Sequence, residues 1–113
     1  MTESEFLDAA DATLAAIERA LDRLYEQDMV DVECSRSGNV LEIEFCDNGS
    51  KVIVNSQAAM QEIWVAARSG GFHYKRVDGK WLDTRTGKEL FQALSDITTE
   101  QGGAPVVVSE VSP

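Results

Sequence analysis

The chain has 113 residues, 43% of them hydrophobic and 27% charged, with a formal net charge of −10. That size describes one globular domain able to bury roughly 65% of its unfolded surface, so a core needs no disulfide staples. It excludes disorder on composition, a membrane span because no apolar run reaches ~18 residues, and nucleic-acid binding because the ten Lys and Arg are scattered.

The charge is unevenly placed. Residues 1–50 hold 13 Asp and Glu against three Arg, whereas residues 51–113 hold seven acids and seven bases. Like charges crowded on a folded surface repel, and a cation or a basic partner would offset that cost. The start, Met1-Thr2-Glu3-Ser4-Glu5, lacks the basic segment of a signal peptide, so a cytoplasmic location is expected.

Residues 3–26 read as an amphipathic helix. Phe6, Ala10, Leu14, Ile17, Leu21 and Leu24 form one apolar stripe, and Thr2 and Glu5 have capping-box spacing. A run of strands over about 29–83 follows. Val30, Val32 and Cys34 alternate with Asp31 and Glu33, and Leu41, Ile43 and Phe45 alternate with Glu42 and Glu44. A two-residue turn at Ser37-Gly38 would pair Arg36 with Asn39, Cys34 with Leu41 and Val30 with Phe45. Cys46 then points away from Cys34 and cannot bridge to it. Two free thiols fit a reducing compartment, and no CxxC or Cys/His cluster suggests zinc.

Asp47-Asn48-Gly49-Ser50 is a turn, Lys51 to Asn55 a strand and Ser56 to Met60 a connection. Glu62 to Arg68 alternates again, with Trp64 in the opposite phase to Ile63 and Val65. Ser69-Gly70-Gly71 breaks that strand, Phe72 to Val77 resumes it, Asp78-Gly79 turns, and Lys80 to Asp83 is a short strand. A second helix is expected over about 87–101, with Thr86 and Glu89 as its capping pair and Gly102-Gly103 as its stop. The β-branched tail, 104–113, should pack on the domain. Helix, about six strands and helix imply an α+β two-layer sandwich, both helices covering one face of an antiparallel sheet. The other face is open, and His73 shows no partner in the sequence.

On the first helix, Asp11, Glu18, Asp22 and Glu26 fall within about 80° of one another at ~100° per residue, with Asp8 on the same side. The assumed hairpin register sets Asp31 opposite Glu44 and Glu33 opposite Glu42, all outward and mutually repulsive. Such a surface is either a solvated face that favours solubility or a place for hard cations such as Ca²⁺, Mg²⁺, Mn²⁺ or iron. Carboxylates on a rigid helix and strand do not wrap an ion, so binding would be weak and water-rich.

The second half carries a resemblance. Asn48-Gly49-Ser50-Lys51-Val52-Ile53-Val54-Asn55-Ser56-Gln57, Ile63-Trp64-Val65-Ala66, Gly70-Gly71-Phe72-His73-Tyr74, Trp81-Leu82-Asp83 and Arg85-Thr86-Gly87 resemble, in order and spacing, the frataxin family in its bacterial form. Ser4-Glu5-Phe6 and Ala9-Ala10-Asp11 are similar as well, so the likeness spans about residues 4–101. It implies the sandwich fold, weak iron binding at an acidic ridge, and a role in iron–sulfur cluster assembly with a cysteine desulfurase and a scaffold protein. By position the ridge would use Glu18, Asp22, Asp31 and Glu33, with Glu26 and Asp28 near further acidic family positions.

Arg19, Arg23, Tyr25, Gln27 and Met29 depart from the family's acidic pattern. Asp11, Glu42 and Glu44 would extend the surface offered to a basic partner, and Trp64, with Asn55 and Gln57, would form a second contact. Other hard cations could substitute for iron. The protein is expected to be a non-enzymatic monomer acting as iron donor, desulfurase regulator or both. The alternatives are weak ferroxidase and storage activity in iron-dependent oligomers, and an adaptor with no functional metal site.

Overall fold

The computed structural model describes residues 1–109. Thr2 starts helix α1 (Glu3–Glu26): its hydroxyl accepts from Glu5 N at 3.1 Å while the Glu5 carboxylate accepts from Thr2 N at 2.8 Å. Two of the orphan amides at the helix start are thereby satisfied. Asp28, at φ 57, turns the chain out of the helix. Six strands follow, β1 (Val32–Ser37), β2 (Val40–Phe45), β3 (Ser50–Gln57), β4 (Glu62–Ala67), β5 (Gly70–Val77) and β6 (Lys80–Asp83), and then α2 (Leu90–Gly102). The strands lie in chain order in one antiparallel sheet.

Because side chains alternate along a strand, one phase of this sheet is apolar and meets the helices. Leu41, Ile43, Phe45, Val52, Val54, Ile63, Val65, Tyr74 and Trp81 share a core with Phe6, Leu14, Ile17 and Leu21 of α1 and Leu90, Leu94 and Ile97 of α2. This is the two-layer α+β sandwich the sequence implies. No helix among the described residues is long and apolar enough to cross a membrane.

Polar groups lock the layers together. The Trp81 indole N–H donates to Thr13 Oγ1 at 2.8 Å, and its ring meets Phe6 edge-on at 5.9 Å. Gln101, 2% exposed, donates to Ser50 Oγ and accepts from Arg68 N, each at 3.0 Å, while its carbonyl accepts from Asn48 Nδ2 at 2.7 Å. The end of α2 is thus fastened to two turns of the sheet. Gly102 permits a close approach there, since a Cβ would stand 2.8 Å from a stiff Val30 methyl.

Several boundaries differ from the sequence reading. The first hairpin turns at Gly38-Asn39, not Ser37-Gly38, and pairs Ser37 with Val40, Arg36 with Leu41, Cys34 with Ile43 and Val32 with Phe45. Gly38 takes φ 58 at the first turn position, where a type II′ turn wants glycine. The two-residue slip keeps every side chain on its expected face. The first strand begins at Val32 and not near residue 29.

At the next boundary, β3 runs on through Gln57, and Arg68-Ser69 alone makes the β4–β5 turn, so Gly70 and Gly71 already pair in β5. The second helix starts three residues later than expected. Its N-cap is Glu89, whose carboxylate accepts from Phe91 N at 2.9 Å and Gln92 N at 3.1 Å. Thr86 does not start the helix: its hydroxyl accepts from Lys88 N at 3.2 Å within a tight loop, where Asp83 Oδ1 holds Arg85 N and Thr86 N at 2.7 and 3.3 Å.

The tail packs on α2 up to residue 109. Val106 and Val108 are buried, and their amides donate to Thr99 Oγ1 at 3.1 Å and Ser95 Oγ at 2.8 Å. Residues 110–113 lie outside the described part.

Candidate metal ridge and exposed sheet face

Helix α1 runs against β1, so acids on its C-terminal half and on that edge strand share one seam. Asp22 and Tyr25 from α1 join Asp31, Glu33, Cys34 and Cys46 around a cleft of about 410 Å³. Glu18 lies one turn back on α1. Burial, with the charges of Asp22 and Glu18 added, pushes the Cys34 thiol up to about 12. Cys46 is also raised, by local desolvation and by Asp31, Glu33 and Glu44. Neither thiol forms a disulfide.

Glu26 and Asp28 open onto a second, neighbouring cleft of about 670 Å³, which Asp31 borders as well. Asp47 joins them there. The sequence marks it only as part of a turn, because its position beside the end of α1 depends on how the β2–β3 turn folds under Gly102-Gly103.

The remaining acids are spoken for differently. Asp11 forms an ion pair with Arg36, which ties α1 to β1 and removes a charge from the stripe. Glu42 pairs with Lys51 at 3.7 Å. The observed register overturns the two expected acid–acid rungs: Glu33 faces Glu44, Ser35 faces Glu42, and Cys46 N donates to Asp31 O at 3.0 Å. One repulsive rung remains, and Lys51 on the other side of Glu44 relieves it.

Among the described residues no three His, Cys, Asp or Glu converge closely enough to hold one ion. The seam is a row of oxygen donors, a donor set that suits a hard cation keeping part of its water.

The open sheet face has a different character. Trp64 stands between Asn55 on β3 and His73 on β5, its partners on either side of the ladder, and Gln57 lies further along β3. The His73 imidazole stacks on the indole, with centroids 4.4 Å apart and planes at 8°. The indole N–H donates to Glu62 Oε1 at 2.8 Å. Neither His73 nor Glu62 stands out in the sequence, since both depend on the β4–β5 register. Trp81, by contrast, is core.

A model of the frataxin-like domain matches residues 1–104. The chain belongs to the frataxin family. It is 62% identical over 112 residues to the iron-sulfur cluster assembly protein CyaY of Janthinobacterium sp. (strain Marseille), spanning 99% of this chain and 100% of that one. The CyaY protein of Herminiimonas arsenicoxydans is 60% identical over 110 residues, or 97% and 98% of the two chains. Among solved structures, frataxin from Psychromonas ingrahamii superposes with a TM-score of 0.81 at 32% identity, covering 97% of this frataxin chain and 100% of its own. Trimeric frataxin from the yeast Saccharomyces cerevisiae, complexed with ferrous iron, gives 0.68 at 27% identity over 84% and 86%.

Proposed function

We propose that this frataxin holds iron weakly along the α1–β1 seam and serves iron–sulfur cluster assembly as iron donor, as regulator of a cysteine desulfurase, or both. The observation that carries the reading is the cleft in which Asp22 of the helix meets Asp31 and Glu33 of the strand. Glu18, Glu26 and Asp28 extend it in both directions along α1 and its exit. Iron is cargo here, bound loosely enough to be given up, and no catalytic step is assigned to the chain.

The same negative seam suits a basic surface on the desulfurase, with Asp11, Glu42 and Glu44 at its margins contributing less because each has a basic neighbour. The neutral, aromatic face around Trp64, Asn55 and Gln57 suits the scaffold protein, since large aromatics are typical interface anchors. A cytoplasmic location and a monomer, oligomerising only with iron, complete the proposal.

The test is an NMR titration with Fe²⁺ or a diamagnetic trivalent ion. Broadening or shifts confined to residues 18–33 and Asp47 are expected; an unperturbed seam would sink the metal assignment. Binding to the desulfurase should weaken with added salt and with Asp22→Lys or Glu33→Lys. Salt-insensitive binding would remove the docking role. Oxidation of Fe²⁺ faster than in buffer would instead favour the ferroxidase alternative.

A further inference from the structure

One carboxylate on the open sheet face is buried while its neighbours are solvated. Glu62 is 4% exposed, although it lies in the outward phase at the start of β4, on the face that neither helix covers. Its cover comes from the two adjoining rungs of the β4–β5 ladder, where Lys75 faces Glu62 and His73 faces Trp64. Within this two-by-two block, Glu62 Oε1 accepts from the indole N–H at 2.8 Å and lies 3.5 Å from His73 Nδ1. Its other oxygen lies 3.6 Å from Lys75 Nζ. That ammonium also donates to the Met60 carbonyl at 3.3 Å, tying the β3–β4 connection to the same block.

A carboxylate is costly to bury unless it is paired and hydrogen-bonded. Glu62 could turn into water, as the surface acids do, yet it lies along the sheet face against the indole N–H, with the His73 imidazole and the Lys75 ammonium beside it. The effect falls on Trp64. A tryptophan on an uncovered sheet face has several staggered wells open to it. Here the N–H is directed at Glu62 and one ring face is filled by His73, which leaves a single orientation of the indole.

We propose that Glu62 is a positioning residue that locks Trp64 into one rotamer, so that the scaffold-protein face is organised before the partner arrives. This rests on the reading that the Trp64 face meets the scaffold protein. Ordering such a side chain ahead of binding removes an entropy cost, so losing the lock should weaken binding roughly three- to tenfold.

The experiment compares wild type, Glu62→Gln, Glu62→Ala and Trp64→Ala in the full chain. The Trp64 indole N–H exchange rate is read by NMR without any partner, with the Trp81 indole as internal reference. Affinity for the scaffold protein is read by calorimetry. In the wild type the Trp64 indole should be one protected signal. Glu62→Ala should accelerate its exchange at least tenfold and weaken binding by the factor above. Glu62→Gln, which keeps an acceptor for the indole, should restore most of both, an outcome that mere loss of folding stability does not produce.

Unchanged indole exchange in Glu62→Ala would overturn the lock, as would exchange in Glu62→Gln as fast as in Glu62→Ala. So would unchanged affinity in Glu62→Ala where Trp64→Ala weakens binding. If Trp64→Ala itself binds as tightly as wild type, the assignment of the face falls, and the exchange rate alone still decides the lock.

Discussion

Glu33 and Glu62 are the same residue type in the same outward phase of one sheet, and they meet opposite fates. Glu33 is exposed on the edge strand and faces another acid, Glu44. Glu62 is buried between β3 and β5 and faces Lys75, with an indole N–H and an imidazole beside it. Register, not residue type, decides whether a carboxylate is left for solvent, cations and partners or is consumed in holding a neighbour. The acidic seam keeps unneutralised charge at some cost in stability, whereas the β4–β5 block neutralises its charge and gains order.

That contrast can be broken most decisively at Glu62. Glu62→Ala should destabilise the fold by about 2 kcal/mol, because it strips the partner from an indole N–H, an imidazole and an ammonium at once. Urea denaturation measures it, and a loss no greater than at an exposed acid would erase the distinction. The opposite sign is expected on the seam. Glu33→Lys should stabilise by roughly 0.5 kcal/mol, by placing a cation opposite Glu44. That gain should shrink in 0.5 M salt, set here at roughly ten times the level at which the Debye length is about 14 Å. Smaller still is Asp22→Asn, which relieves repulsion with Glu18 and Glu26 at i±4 and should add a few tenths of a kcal/mol.

A final substitution sharpens the comparison only in alkali. Burial, then Asp83 and Glu89, raise the Tyr74 phenol from 10.0 to about 12. The folded state therefore holds this proton more tightly than the unfolded chain does. Its contribution is fully present below pH 10 and is lost as pH climbs towards 12. Tyr74→Phe and wild type should give parallel stability–pH curves up to pH 10, with wild type falling faster above it. Curves that stay parallel to pH 12 would show the phenol to be open to water.

Local pattern carried α1 completely: the apolar stripe set its buried face, and Thr2 and Glu5 set its start. It also carried the six strands, because alternation survives any choice of turn. The turns themselves were ambiguous. Ser37-Gly38-Asn39 offers two overlapping two-residue turns, and only the demand for glycine at the first position separates them. The Thr86–Glu89 spacing misled because Thr86 takes Lys88 N within a tight loop that Asp83 braces, while the Glu89 carboxylate turns forward to cap Phe91 and Gln92.

The same boundary runs through the candidate sites. Phase along α1 groups Glu18 with Asp22, and phase along β1 groups Asp31 with Glu33; that the two groups form one ridge was implied only by the family resemblance. Asp47 needed contacts between distant elements and Glu62 needed the β4–β5 register, and no periodicity within one element reports either. Asp11 shows the converse: its place in the stripe was readable, and its neutralisation by Arg36 was not.

The chain-order sheet has a kinetic consequence. Each strand after β1 pairs with the strand before it, so each pairing can close as a local hairpin, and only the helices must find remote ground. Such a topology should fold in the intermediate range between helical bundles and β-sandwiches. The tail, whose amides rest on Ser95 and Thr99 of α2, should add its contacts only after the barrier has been crossed. Trimming it should leave the folding rate almost unchanged and hasten unfolding, which makes the last described residues a brake on the lifetime of the native state.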